Sequence, residues 1–579
     1  MEELKLKNIS VTIDGKTVAV PEGTTILQAA EKLHIKIPTL CYHPDLEPLS
    51  GCRMCVVEIE NDPLLRTACS YRVTDGMNIS TNSAFVRESR KMALELLLSR
   101  HPQKCTECIR NGNCELQSLA DQLGIRKISF EYRERLGQLD ESSSAIVRDP
   151  SKCILCRRCI QTCADIQGVS AINVEGRGYD VWVDTPFAKG IGDISCVSCG
   201  QCIDRCPVGA LYEKNATQDV WKALADTDKH VVVQTAPATR ASFGEPFGMA
   251  PGSLVTGKMV AALRRLGFDR VFDTDYTADL TIIEEGHELI SRIQNGGVLP
   301  QITSCSPGWI NFIEHFYPDL LPHVSSCKSP QQMFGTLAKT YHAEKEGIDP
   351  AKIYSVSIMP CTAKKYEAAR PEMNDSGFQD VDAVLTTREA CAMVKEMGVD
   401  FPNLEDEDYD IPMGISTGAA AIFGATGGVM EAALRTVYEV LTKKELPNID
   451  IKAVRGMEGI REAEVDIDGL KVKAAVAHGL GNARQLLDKI VSGEADYHFI
   501  EIMACPGGCL SGGGQPIPTS MEIRKKRAEA IYKEDRRLEF RKSHDNPALK
   551  ELYKEFLGEP NGEKAHHLLH THYTKKSIY

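Results

Sequence analysis

The sequence predicts a multidomain protein of mixed α/β and α+β class, and three observations predict it. At 579 residues the chain is too long for one hydrophobic core and divides into several. Fifteen of its 21 cysteines lie before residue 207 in tight groups, leaving six for the remaining two thirds. From about residue 216 the pattern changes to strands alternating with helices, which implies largely parallel sheets with helical cover.

Composition removes several function classes. Hydrophobic content of 42% and charged content of 25% are ordinary for a globular protein. A formal charge of −13 argues against nucleic acid, whose phosphates need clustered Lys and Arg. No apolar run approaches the roughly 18 residues that suggest a membrane span. The start, Met-Glu-Glu-Leu-Lys, has no apolar h-region and no twin arginine, so the expectation is a cytoplasmic protein without a membrane association. A large, unexported chain with an odd cysteine count points to metal binding rather than disulfides.

Residues 1–80 open with Val11-Thr-Ile-Asp-Gly15-Lys-Thr-Val-Ala-Val20, two β-rich runs hinged by Asp-Gly. Thr24–Leu33 reads as a capped helix. Cys41, Cys52, Cys55 and Cys69 follow, spaced x10, x2 and x13, a plant-type ferredoxin loop with a longer first gap. A zinc ribbon would want two Cys-x2-Cys knuckles, and only one is present. Residues 81–144 carry a helical pattern over Phe85–Leu98 and then His101-x3-Cys105-x2-Cys108-x5-Cys114. One imidazole and three thiolates suit zinc as well as iron.

Residues 145–215 hold Cys153-x2-Cys156-x2-Cys159-x3-Cys163 and Cys196-x2-Cys199-x2-Cys202-x3-Cys206-Pro207, the clear internal repeat of the chain. This is the bacterial two-cluster ferredoxin run, in which each fourth cysteine ligates the other run's cluster. One 4Fe–4S site is therefore Cys153, Cys156, Cys159 and Cys206, the other Cys196, Cys199, Cys202 and Cys163.

Residues 216–519 alternate strand and helix. Val231–Pro237, Val271-Phe272, Ile302-Thr303, Ile353–Met359 and Asp382–Leu385 read as strands. Met259–Leu266, Thr281–Ile293, Trp309–Phe316 and Arg388–Met397 read as helices between and after them. Open α/β sheets bind ligands beyond the carboxyl ends of their strands. Three such ends carry cysteine: Thr303-Ser-Cys305-Ser-Pro-Gly-Trp309, Met359-Pro-Cys361-Thr-Ala-Lys-Lys365, and Glu501-Ile-Met-Ala-Cys505-Pro-Gly-Gly-Cys509 leading into a glycine run to Pro516. Two cysteines cannot complete a tetrathiolate set, so the last motif must recruit partners from the others. Ala474–Arg484 imitates a dinucleotide fingerprint, but Arg484 stands where a third Gly or Ala is required. Residues 520–579 become charged and helical over Met521–Tyr532 and Pro547–Phe556. The tail Ala565-His566-His567-Leu-Leu-His570-Thr-His572 is expected to dock as a helix with its imidazoles facing solvent.

The three cysteine motifs, with Phe423-Gly-Ala-Thr-Gly-Gly-Val-Met430, resemble those of the FeFe hydrogenases, and the order of N-terminal modules is similar to that family and to the large peripheral-arm subunit of respiratory complex I. The resemblance implies a β-grasp 2Fe–2S domain (1–80), a 4Fe–4S domain with one His and three Cys ligands (81–144), a 2×4Fe–4S domain (145–215), an α/β hydrogenase domain with parallel sheets flanking a buried cluster (216–519), and a small-subunit-like helical segment (520–579). It turns His101, Cys105, Cys108 and Cys114 from a zinc-or-iron set into iron ligands, giving one 2Fe–2S and three 4Fe–4S clusters. It also implies the H-cluster, a 4Fe–4S unit joined to a di-iron centre carrying CO, cyanide and a dithiolate bridge. Carried over by position, Cys361, Cys505 and Cys509 hold that cofactor, with Cys509 bridging its halves. Lys364 donates to a cyanide. Met359 and Met503 pack on the di-iron unit as soft walls, with Pro237 and Gln331 beside it. Protons pass through Glu288, Ser325 and Glu285 to Cys305.

Two positions depart from the family. Many members have a second cysteine where this chain has Ser306, so the fourth place on the 4Fe–4S unit falls to Ser306, Cys305 or another residue such as Cys327. Ala238 stands where some members have a serine near the bridge. The reaction implied is reversible combination of two protons and two electrons into H2, with ferredoxin or flavin- and NAD(P)-binding subunits as electron partners, in an electron-bifurcating complex. An H2 sensor with the same core, an iron–sulfur carrier of cluster assembly and an electron-wiring subunit are the other classes. The short C-terminal helices leave little room for a sensor's signalling module, carriers lack the proton relay, and a wiring subunit has no counterpart of residues 300–516.

Overall fold

The structure, a computed structural model, describes residues 7–135, 137–467 and 469–578. In the first module, strands Asn8–Ile13 and Lys16–Pro21 pair antiparallel across the Asp14-Gly15 turn, where both residues take positive φ. Met77–Ser80 joins Asn8–Ile13 in parallel, and Val56–Ile59 and Arg66–Thr67 complete a five-stranded mixed sheet. Helix Ile26–Lys32 covers it, with a capping box between Thr25 and Gln28. The next helix, Ala84–Leu98, buries Val86, Arg90 and Leu94 against this module, and the Arg90 guanidinium donates to the Val56 carbonyl at 2.7 Å.

The repeated cysteine runs adopt the same local shape. Leu155 and Arg157 in the first, Ser198 and Gly200 in the second, take left-handed φ, so each run turns tightly enough to aim successive thiols inward. Ile146–Arg148 pairs antiparallel with Leu211–Glu213, tying the two ends of this segment together.

Two four-stranded sheets build the rest. In one, Arg270–Asp273, His230–Thr235, Ile353–Met359 and Ala383–Thr386 lie side by side, all parallel. In the other, Gln301–Ile302, Phe499–Met503 and Leu470–His478 are parallel and Ile460–Ile467 closes the edge antiparallel. His230–Thr235 and Phe499–Met503 are buried along most or all of their length, as parallel strands covered on both faces require.

The expected helix Thr281–Ile293 begins seven residues earlier and spans Thr274–Asn295. Its first turns lack a one-sided apolar stripe because they are buried all round. Thr277 and Thr281 return their hydroxyls to carbonyls of the preceding turn, and Asp273 caps the start. Likewise Met521–Tyr532 extends to Arg537, since buried ion pairs such as Arg435–Asp535 at 2.9 Å replace apolar periodicity there. Pro547–Phe556 keeps α geometry only to Leu552 and continues as a wider turn over Tyr553–Leu557. Leu549, Leu552, Leu568 and Leu569 of the C-terminal segment share one core with Tyr276, Phe334 and Leu337. The expectation of solvent-facing imidazoles holds for His566, His567 and His572 and fails for His570, which is buried. His570 follows two leucines that enter this core, and the chain there pairs with the backbone at Cys327. Among the described residues no helix is long and apolar enough to cross a membrane.

Candidate functional site

The two sheets point their carboxyl ends at one cavity. Ala236 and Pro237 follow His230–Thr235, Pro360 and Cys361 follow Ile353–Met359, and Ala504 and Cys505 follow Phe499–Met503. Cys305 and Ser306 arrive just past the short strand Gln301–Ile302, and Cys509 comes from the loop after Cys505. All of these residues line the cavity together with Met359, Met503, Gln331 and Lys364. The sequence-predicted set Cys361, Cys505, Cys509, Cys305, Lys364, Met359, Met503, Pro237 and Gln331 is thus gathered in one place.

Glycine lets the backbone close around it. Gly508 sits at φ +87°, and a Cβ there would lie 2.7 Å from the Thr426 amide. A Cβ on Gly512 would stand 2.0 Å from the Pro360 carbonyl. The walls are nonpolar apart from Lys364, Gln331, Thr274 and Ser306, and thiols converge from three strand-end loops and, through Cys199, from the second ferredoxin run. A large, soft, thiolate-bound metal group fits this donor set and this apolar enclosure.

Lys364 is held at 2.9 Å from the Glu367 carboxylate and donates to the Cys305 carbonyl at 3.2 Å. Gln331 braces the same carboxylate at 3.1 Å and accepts from Ser357 at 2.8 Å. Ser306 opens the helix Pro307–Phe316, and its Oγ accepts from the Ala504 amide at 3.3 Å. Cys327 does not line the cavity. It lies instead with Glu288, Ser325 and His570. Ala238 is fully buried and packs against Gly424.

A line of polar groups runs from the half-buried Glu288 inward. Arg292 pairs with Glu288 at 2.6 Å, and the Ser325 hydroxyl donates to the same carboxylate at 2.7 Å. Glu285 lies one helical turn back, 2% exposed, and among the described residues no hydrogen bond of ordinary geometry reaches either oxygen. Burial first, then the Glu288 charge, pushes its carboxyl up to about 8; Ser325 and the Ser304 amide temper the rise. Burial and the neighbouring Glu285 also push the Cys305 thiol well above its usual value, so it holds its proton near neutral pH. Glu501, four residues before Cys505, accepts from the amides of Gly427 and Met430 at 2.6 and 2.7 Å where the helix Gly428–Thr442 begins.

The N-terminal cysteines gather in four further places. Cys41 and Cys52 contact each other, as do Cys55 and Cys69, and Cys41 and Cys52 in turn face Cys69 and Cys55. His101, Cys105, Cys108 and Cys114 line one cavity, and Cys153, Cys156, Cys159 and Cys206 line another. Cys163, Cys196 and Cys199 surround Cys202. Cys199 also lines the central cavity, beside Cys505. That double placement, and the roles of Glu367 and Arg292 as partners of Lys364 and Glu288, escaped sequence reasoning. Glu288 and Arg292 at i and i+4 was the available signal for the second.

The family described as iron only hydrogenase large subunit, C-terminal domain, matches residues 229–513, and iron hydrogenase small subunit matches 521–576. A 2Fe-2S iron-sulfur cluster binding domain matches 7–84, the NADH-ubiquinone oxidoreductase-G iron-sulfur binding region 90–129, and the ferredoxin-like domain of NADH-quinone oxidoreductase subunit 3 143–212. NADP-reducing hydrogenase subunit HndD of Solidesulfovibrio fructosivorans is 51% identical, over 98% of this chain and 99% of that one. Iron hydrogenase 1 of Clostridium pasteurianum is 44% identical over 98% and 100%. A variant of the [FeFe]-hydrogenase HydA1 from Chlamydomonas reinhardtii superposes with a TM-score of 0.57 at 45% identity, covering 62% of this chain and 99% of that one. With thiols from three strand-end loops around one enclosed cavity, and with relatives of this identity along its whole length, the chain belongs to the FeFe (iron-only) hydrogenases, and its iron–sulfur domains precede the hydrogenase domain.

Proposed function

We propose that this enzyme interconverts H2 with protons and electrons, and that Cys361, Cys505 and Cys509 would hold an H-cluster in the central cavity. The observation that carries the reading is the meeting of these thiols with Cys305 and Lys364 in one apolar cavity. When bound, the H-cluster supplies the metal centre at which protons and electrons combine. The chain's own residues exclude water, hold the group and deliver protons. Ser306 is the nearest oxygen donor on the loop that many relatives use for a fourth cysteine, and Lys364 places an ammonium in the cavity wall for an anionic ligand. Met359 and Met503 provide polarizable walls, and Pro237 and Gln331 fix the remaining side.

Protons enter at Glu288, pass by Ser325 to Glu285 and reach the Cys305 thiol. A neutral buried carboxyl and a neutral thiol are both loaded donors, which suits proton delivery. Cys41, Cys52, Cys55 and Cys69 would hold one 2Fe–2S cluster, His101, Cys105, Cys108 and Cys114 one 4Fe–4S cluster, and the crossed ferredoxin sets two more, groups that would supply electron carriers between the partners and the cavity. Cys199 at the cavity wall supports the last transfer. The division at residues 80, 144, 215 and 519 follows these groups. The likeness to an NADP-reducing hydrogenase subunit supports NAD(P)-linked partner subunits; to these we add flavin in those subunits, ferredoxin as a second electron carrier in a bifurcating assembly, and the cytoplasm as its location.

Maturation of the chain without oxygen, followed by infrared spectroscopy and H2-dependent reduction of a viologen dye, tests the reading. Bands of metal-bound CO and cyanide with turnover are expected. Bands without turnover would favour an H2 sensor, and their absence after maturation would leave only an electron-wiring protein. Reduction of NAD(P) by H2 on addition of the flavin subunits, with and without ferredoxin, separates simple coupling from bifurcation.

A further inference from the structure

A second constellation lies outside the central cavity, at the outer end of the polar line. Glu288 comes from helix Thr274–Asn295, Cys327 from the loop before helix Pro330–Leu337, and His570 from the C-terminal tail. Their donor atoms all lie within 4.8 Å of one another. Cys327 Sγ is 3.8 Å from a Glu288 oxygen and 4.0 Å from His570 Nδ1. Cys327 and His570 are buried, at 0% and 5% exposure.

Two further features favour a ligand. His570 Nε2 lies 3.1 Å from the Glu284 carboxylate, and that carboxylate is fixed by the Tyr553 hydroxyl and by the Asn561 amide at 2.9 Å. The imidazole therefore donates from Nε2 and turns the lone pair of Nδ1 toward the thiol, where Ser326 now donates to it at 2.8 Å. A carboxylate behind a histidine in this way is the usual support of a metal-bound imidazole. Secondly, the backbone is locked on both sides of the pair. Lys328 N–H donates to the Leu569 carbonyl and Thr571 N–H to the Ser326 carbonyl, each at 2.7 Å. Glu284, Glu285 and Glu288 all face Cys327, and of the three Glu288 is the one paired with Arg292.

We propose that Glu288, Cys327 and His570 form a binding site for a divalent cation of the zinc class, and that its occupation takes Glu288 out of the proton route. Thiolate, imidazole and carboxylate are zinc's donor set. Tetrahedral zinc with ordinary bond lengths separates sulfur and nitrogen ligands by about 3.6 Å, so the two spacings to Cys327 Sγ need to close by only a few tenths of an ångström, and Glu288 and His570, within 4.8 Å of each other, come together around the ion. Binding displaces the Ser326 hydroxyl from Nδ1 and releases the Cys327 thiol proton to solvent, so affinity rises with pH. The second half of the proposal rests on the proton route proposed above; the metal site itself does not.

The test is titration of the iron-loaded enzyme with zinc chloride, with zinc counted per chain and examined at its X-ray absorption edge. One zinc per chain is expected, with one sulfur and one nitrogen neighbour. Cys327→Ala and His570→Ala are each expected to bind it at least tenfold more weakly while keeping their iron, and Glu284→Gln to weaken it 10- to 100-fold. Zinc without a sulfur neighbour, or bound equally by Cys327→Ala and His570→Ala, overturns the site. Cadmium in place of zinc adds a thiolate charge-transfer band in wild type that Cys327→Ala lacks, a readout independent of turnover. Zinc is further expected to slow H2 turnover more than tenfold in wild type, reversibly with chelator, and not in Cys327→Ala. Zinc bound through Cys327 and His570 with turnover untouched would uphold the site and remove Glu288 from the proton route.

Discussion

Glu285 shows what one buried side chain decides. Its carboxyl is pushed to about 8 from an ordinary 4.5, by burial first and the Glu288 charge second. Between those two values the folded chain holds a proton that the unfolded chain has released. Stability therefore falls as pH rises through that window, because the unfolded state binds fewer protons there. Glu285→Gln carries no titrating group, so denaturant unfolding from about pH 5 to pH 8 should show a shallower loss in the variant than in wild type. The same change removes the proton carrier proposed at this position. H2 turnover should drop by about 10²- to 10⁴-fold, with iron content unchanged. A Gln variant with wild-type turnover takes Glu285 out of the route.

At the scale of the element, the loops after parallel strands carry the chemistry, and glycine sets how close they come. Gly512 passes so near the Pro360 carbonyl that a Cβ would stand 2.0 Å from its oxygen. That carbonyl precedes Cys361, and Gly512 follows Cys509, so one methyl group forces apart two loops that share the cavity. Gly512→Ala is expected to lose the central cluster and keep the N-terminal iron–sulfur clusters, read as iron content and as infrared bands after maturation. A variant that loads normally would show that the loops can separate at no cost to the site. These loops were legible in the sequence because apolar runs end at Met359 and Met503 and cysteine follows at once. The crossed ferredoxin sets were legible for the same kind of reason, a fixed spacing repeated twice. The early turns of helix Thr274–Asn295 were not, since burial on every side erases the period that marks an amphipathic helix. Nor was the placing of Cys327 and His570 together, 243 residues apart, because no local pattern encodes a contact between a loop and a distant tail.

Across the whole molecule, ion pairs buried at seams reinforce an apolar core that runs from Leu40 and Met54 of the first module through Ile203 and Val208 of the ferredoxin segment to Trp309 and Ile502. Asp45 of the first module accepts from Arg205 of the ferredoxin segment at 3.0 Å and from Arg524 of the C-terminal helix at 2.5 Å. Both guanidiniums are nearly inaccessible, at 0% and 3% side-chain exposure, while Asp45 keeps 18%. Burial alone would raise the Asp45 carboxyl, but Arg524 and Arg205 outweigh it and hold it below the usual range. A carboxyl held low contributes stability above its unfolded value, and that contribution is lost as pH falls through the folded one. Asp45→Ala leaves two buried cations with one fewer partner. The expected loss is about 3 kcal/mol, the lower end of the range for breaking a buried pair, because Asp45 retains some water. Arg205 keeps a contact to Asp204 at 3.4 Å, so the seam should loosen at the first module before the rest of the chain opens. Thermal unfolding of the iron-loaded protein, followed separately by 2Fe–2S absorption and by total helicity, is expected to show the first signal falling earlier in Asp45→Ala and the two together in wild type. Coincident loss in both proteins would mean that apolar packing, not this charge cluster, fastens the electron inlet to the catalytic body.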